Sequence, residues 1–120
     1  MLKKTISYED FNGVEVKEDF YFNLTIAELM EMEATTPGGM SNLIQRVVDS
    51  QDGPTIFKIF KELIMKSYGV KSDDGKRHIK SRELSEAFIQ TEAYSNLLME
   101  LLEDSEAAAN FVKGILPKQK

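Results

Sequence analysis

Apolar and polar residues alternate over the first 22 positions. Leu2, Ile6, Tyr8, Val14, Val16, Phe20 and Phe22 fall on even positions, with Lys3, Thr5, Ser7, Glu15, Lys17 and Asp19 between them. Period two marks a strand with one face buried. Glu9-Asp10-Phe11-Asn12-Gly13 separates the two runs, and Asn-Gly is a turn signal, so a β-hairpin is predicted. Opposed residues share a face, so paired positions sum to an even number. A sum of 22 sets Tyr8 against Val14, Ile6 against Val16, Leu2 against Phe20, Lys4 against Glu18 and Lys3 against Asp19. A sum of 24 puts Ile6 opposite Glu18 and Lys4 opposite Phe20. The first register is expected, with Glu9 to Gly13 as the loop. A lone hairpin is marginal in water, so its apolar face needs a partner layer.

From Thr25 the period becomes helical. Thr25-Ile26-Ala27-Glu28 is a capping box, with Ile26, Leu29, Met30 and Glu33 along one face of the helix it opens. Thr36-Pro37-Gly38-Gly39 breaks that helix, and Ser41 caps a second through Leu43, Ile44, Val47 and Val48. After Asp52-Gly53-Pro54, a third helix carries Ile56, Phe57, Ile59, Phe60, Leu63 and Ile64, and Gly69 is its expected stop. Val70 to Lys80 reads as a polar loop. Ser81, Thr91 and Asp104 or Ser105 open three more helices, the last ended by Gly114 and Pro117. The prediction is an α+β fold, mainly α: an N-terminal β-hairpin followed by about six short helices.

At 120 residues the chain suits one domain: a hairpin over 1–23, a helical part over 25–116 and a loose tail over 117–120. Apolar residues make up 42% and charged ones 29%, ordinary for a globular protein. The net charge of −5 argues against nucleic acid or an anionic membrane as the main partner. Cysteine is absent, which removes disulfides, thiolate metal sites and cysteine nucleophiles. No apolar run reaches the ~20 residues of a membrane span. No apolar stretch follows Lys3 and Lys4, so no signal peptide is expected.

Candidate chemistry is sparse. His78 is the only histidine and sits among Lys76, Arg77 and Lys80, so it reads as part of a solvated turn rather than a triad member. Asp73-Asp74-Gly75 fails as a calcium loop, because the positions that need acids fall on Val70 and Ser81, and it reads as a plain turn. Gly38-Gly39 before a helix start could meet an anion, but no P-loop lysine follows. No catalytic residue, metal ligand or cofactor is expected. Methionine is more informative: Met30, Met32, Met40, Met65 and Met99 lie in or beside helices. They are either gap-fillers in a small core or part of an adaptable binding surface. In Tyr94 to Leu102, Leu98, Leu101 and Leu102 face a core with Tyr94, while Met99 points elsewhere.

Several stretches carry a likeness. They are the Lys3-Lys4-Thr5-Ile6-Ser7-Tyr8-Glu9-Asp10-Phe11-Asn12-Gly13 hairpin, Glu18 to Leu24 leading into Thr25-Ile26-Ala27-Glu28-Leu29, Phe60 to Gly69, Phe88 to Tyr94 and Ala107 to Pro117. Together they resemble the tail assembly chaperones of long-tailed, siphovirus-type bacteriophages of Gram-positive hosts. The resemblance implies a non-enzymatic protein that binds the tape-measure protein and keeps it soluble during tail assembly. It implies action in the host cytoplasm, absence from the mature virion, self-association, and a frameshifted longer form of which this chain is the shorter product. The resemblance carries over no residue-level site; the apolar helices around Phe88 to Leu102 and around Phe111 give the expected partner-binding residues, Phe88, Tyr94, Leu98, Met99, Leu102 and Phe111. The alternatives are a structural tail component and a small regulatory protein aimed at a host target.

Overall fold

A computed structural model describes residues 1–35 and 53–117. In chain order these form β1 (Leu2–Glu9), β2 (Glu15–Phe22), α1 (Ile26–Thr35), α2 (Gly53–Ser67), β3 (Tyr68–Lys71), β4 (His78–Ile79), α3 (Arg82–Ile89), α4 (Glu92–Glu103) and α5 (Ser105–Ile115). The architecture is α+β with an N-terminal hairpin and five helices among the described residues. The helix expected after Ser41, and the Gly38-Gly39 turn before it, lie outside them.

The strands form one antiparallel sheet in the order β1-β2-β3-β4. The hairpin is present, but its register is the one with sum 24: Leu2 pairs with Phe22, Lys4 with Phe20, Ile6 with Glu18 and Tyr8 with Val16. Turn chemistry decides this. The Asp10 N–H donates to the Val14 carbonyl at 2.9 Å, and the Gly13 N–H donates to the Asp10 carbonyl at 3.0 Å. The Asp10 carboxylate also accepts from the backbone N–H groups of Asn12 and Val14. Gly13 sits at φ +78°, the left-handed position a three-residue hairpin loop assigns to glycine. That loop closes on Asp10 and Val14, which sum to 24. The mixed cross-strand pairs are then satisfied from elsewhere. Lys4 Nζ reaches Glu100 on α4 at 2.9 Å, and the Tyr8 hydroxyl donates to Glu18 at 2.6 Å. The Glu18 bond, with partial burial and the nearby acids, pushes the Tyr8 phenol up to about 12.

The stretch expected as a polar loop from Val70 to Lys80 holds a second hairpin. Val70 pairs with Ile79 and Lys71 with His78. Gly69 is not the helix stop: it lies in β3, opposite Tyr21. A Cβ there would stand 2.6 Å from the Ile79 carbonyl oxygen and 2.8 Å from His78 Nε2, so the close approach needs glycine. The helix ends two residues earlier, where the Ser67 hydroxyl turns back onto the Leu63 carbonyl at 2.6 Å. Gly114 likewise does not end α5. It lies inside the helix, where an added Cβ would meet Leu2 Cδ1 at 2.8 Å, and the Leu24 N–H takes up the Ile115 carbonyl at 2.8 Å.

The even-numbered face of the hairpin and the buried helix faces make one core. Ile6, Phe20, Phe22, Leu63, Ile64, Phe88, Leu97, Leu101, Phe111 and Ile115 belong to it. The predicted caps hold: Thr25 and Glu28 form the capping box, and Ser81, Thr91 and Asp104 accept from the first-turn N–H groups of α3, α4 and α5. The face of α1 differs from expectation. Met32 is buried and Leu29 half-buried, whereas Ile26 and Met30 are exposed. The rotation is set by Leu24 entering the core just before the helix and by Glu28, whose carboxylate takes both 2.7 and 2.8 Å contacts from Lys80 beyond β4.

Candidate partner-binding surface

The expected partner-binding residues fall into two groups. Phe88, Leu98 and Phe111 are buried. Phe88 stacks on Tyr68 with centroids 4.5 Å apart and planes at 16°, and Phe111 meets Phe22 edge-on at 5.4 Å. Tyr94 is half-buried and packs edge-on against Phe88 at 6.0 Å. Its hydroxyl is buried with no hydrogen-bond partner among the described residues, and burial raises its pKa. Met99 and Leu102 stand out from the surface, 55% and 42% exposed. Of the six, Met99 and Leu102 are the two that stand exposed, on α4.

The reason lies in how α4 is held. Thr91 opens the helix, and Ala93, Leu97, Leu98 and Leu101 face the core. On its flank, Asn96 donates to the Ser7 carbonyl at 3.0 Å and Glu100 pairs with Lys4 at 2.9 Å. These contacts run α4 antiparallel along β1 and occupy part of that outer strand edge. Edge strands are often blunted in this way. With one side in the core and the next against β1, Met99, Leu102 and Glu103 share the remaining outer side. The helical period allows this reading for Met99 but not for Leu102, which the sequence places in the core.

Other apolar groups are exposed too: Phe11, which the sequence pattern did not single out, and Val14 and Phe57, which it set on the apolar face of the hairpin and on the apolar stripe of α2. Phe11, at the tip of the first hairpin, is 79% exposed, with Val14 beside it; Phe57 on α2 is 41% exposed. Phe11 falls on an odd position within the turn, and that is the one signal that could have found it.

Polar chemistry does not converge. His78 is half-buried in β4, not in a solvated turn, and its Nε2 donates to the Ser67 carbonyl at 3.0 Å. Asp74 accepts from the Ser72 hydroxyl and the Lys76 N–H, which hold its carboxyl below the usual range and build a plain turn with Gly75 at φ +74°. A shallow recess of about 470 Å³ lies among Glu62, Met65, Lys66, Lys80, Arg82 and Ser85. Its cations are already paired, Lys66 with Glu62, Lys80 with Glu28 and Arg82 with Glu86. Among the described residues, no three His, Asp or Glu side chains gather as metal ligands, and no helix is long and apolar enough to cross a membrane.

Among the described residues, the apolar side chains outside the core that stand exposed include Phe11, Phe57, Met99 and Leu102. The profile of a family described as phage tail assembly chaperone matches residues 1–119. The chain belongs to that family. No curated protein matches it, and no solved structure does. As an assembly chaperone, it acts on a tail protein during assembly, and its exposed apolar groups are read in that light.

Proposed function

We propose that this tail assembly chaperone binds the tape-measure protein and keeps its long helices soluble until the tail tube forms around them. The family match across nearly the whole chain carries this reading. The exposed Met99 and Leu102 support it, because an unbranched methionine beside a leucine on a rigid helix adapts to many apolar helix faces. Such contacts are individually weak, so several copies act together along one client. The work is binding alone, without catalysis, in the host cytoplasm. The client belongs to a siphovirus-type phage of a Gram-positive host, and a frameshifted longer form shares the role. Mass spectrometry separates this reading from that of a structural tail component. The chain is expected in infected-cell lysate and missing from purified virions; stoichiometric recovery from virions would overturn the reading.

A further inference from the structure

We propose that Asn12 is a site of spontaneous covalent modification, deamidation through attack by the Gly13 nitrogen, and that the turn built by Asp10 holds this reaction in check. The inference goes beyond the chaperone reading and uses no part of it.

The reaction needs only water. The backbone nitrogen of Gly13 bonds to the side-chain carbonyl carbon of Asn12 and gives up its proton. The bond from that carbon to Nδ2 breaks, and the side-chain nitrogen takes up the proton and leaves as ammonia. One water molecule then opens the five-membered succinimide ring. Opening at the former side-chain carbonyl gives an aspartate. Opening at the main-chain carbonyl gives an isoaspartate, whose main chain is longer by one methylene. Either product adds one negative charge, taking the chain from −5 to −5 − 1 = −6.

Sequence and fold both single out this position. Asparagine stands at 12, 23, 42, 96 and 110, and Asn12 alone precedes a glycine. Gly13 has no Cβ to crowd its nitrogen, whereas the other four precede leucine or phenylalanine. After Asn23, the Leu24 N–H is bonded to the Ile115 carbonyl at 2.8 Å and Leu24 is buried. Asn96 and Asn110 lie inside α4 and α5, where the following N–H belongs to the helical ladder. Asn12 and Gly13 are exposed at the hairpin tip, and the Asn12 side-chain amide has no hydrogen-bond partner among the described residues. Asp74-Gly75 also sets a glycine in a turn, but Ser72 and Lys76 hold the Asp74 carboxyl ionised, and a carboxylate resists attack.

The folded turn restrains the nucleophile. The Gly13 N–H is committed to the Asp10 carbonyl at 3.0 Å. The Asp10 carboxylate fixes the N–H groups on either side, Asn12 at 2.8 Å and Val14 at 3.0 Å. The Gly13 nitrogen reaches the side chain only after this loop opens locally, so the rate follows how often the turn opens. An isoaspartate lengthens the main chain inside the three-residue loop. It no longer fits the closure on Asp10 and Val14 that sets the strand register.

The test is to incubate the purified full chain at neutral pH and map it by peptide mass spectrometry over time. The peptide holding Asn12 is expected to gain the mass difference between a hydroxyl and an amino group, with isoaspartate among the products. Asp10→Ala should react several-fold faster than wild type, and Asn12→Gln should leave that peptide unchanged. Wild-type chain in rising urea should also react faster as the hairpin opens, a series that stands even if Asp10→Ala fails to fold. The isoaspartate form, separated by ion exchange, should lose the Ile6–Glu18 contact in nuclear Overhauser spectra. An Asn12 that stays intact while another asparagine reacts overturns the proposal. A rate at Asn12 that neither Asp10→Ala nor urea changes overturns the restraint by the turn, and an isoaspartate form that keeps the contact overturns the effect on register.

Discussion

The Nε2 of His78 donates to the carbonyl oxygen of Ser67 at 3.0 Å, tying β4 to the C-terminal end of α2. The same oxygen accepts the Asn23 N–H at 2.8 Å, so one carbonyl joins the end of β2, the end of α2 and the second hairpin.

The junction should be intolerant of added bulk. Gly69→Ala forces a Cβ against the Ile79 carbonyl oxygen, which is backbone and cannot swing aside. A loss of about 1–3 kcal/mol in urea unfolding is expected, as for other overpacked sites. His78→Ala removes the facing ring and should recover part of that loss in the double variant. Additive losses would contradict the packing described.

The register of the first hairpin should depend on its turn. Gly13→Ala must hold φ +78° with a Cβ, at a cost of about 1–2 kcal/mol. Gly13→Asn should cost less, because asparagine tolerates that region. Nuclear Overhauser contacts between Ile6 and Glu18 report the register directly, and contacts between Ile6 and Val16 as direct partners would refute it.

Much of this fold can be read in the chain, because caps and periodicity are local. Thr25, Glu28, Ser81, Thr91 and Asp104 each act within a few residues of themselves, and the structure uses all of them. What escapes is non-local. The register turned on whether Asp10 belonged to the loop or closed it, and the penalty assigned to Lys4 opposite Phe20 vanished once Glu100 arrived from 96 residues away. Gly69 and Gly114 looked like helix stops, since a glycine that admits a neighbour and one that ends a helix are alike in sequence. The short β3 and β4 strands carry no clear alternation, and β3 forms beside a β2 edge already in place. For the surface, hydrophobicity named six residues, but burial leaves Met99 and Leu102 as the two that stand exposed.

The Glu28–Lys80 pair should make stability depend on pH. Burial raises the Glu28 pKa, but the Lys80 and Thr25 hydrogen bonds outweigh it, and the net value lies below the usual one. A carboxylate with a depressed folded pKa stabilises above its unfolded value, and the stabilisation disappears as pH falls through the folded value. Both side chains are partly exposed, so the effect is at most about 1 kcal/mol. Glu28→Gln should therefore lower the urea midpoint at neutral pH, and the gap from wild type should close in acid. A gap that widened in acid would contradict the assignment.

Stability and client binding should separate on α4. Leu98→Ala opens the core and should cost about 2–5 kcal/mol. Met99→Asp changes an exposed side chain, so its stability should stay within about 0.5 kcal/mol. Its capture of client should fall several-fold in a pull-down at matched concentration. The reverse pattern, a destabilised Met99→Asp with full capture, would remove this face from the binding surface.

The central claim is that this chain keeps the tape-measure protein soluble. The direct measurement is co-expression of the two, followed by affinity capture and size-exclusion chromatography with light scattering. The account predicts a soluble client that co-elutes with several copies of this chain. A client that stays insoluble while this chain elutes alone would contradict it.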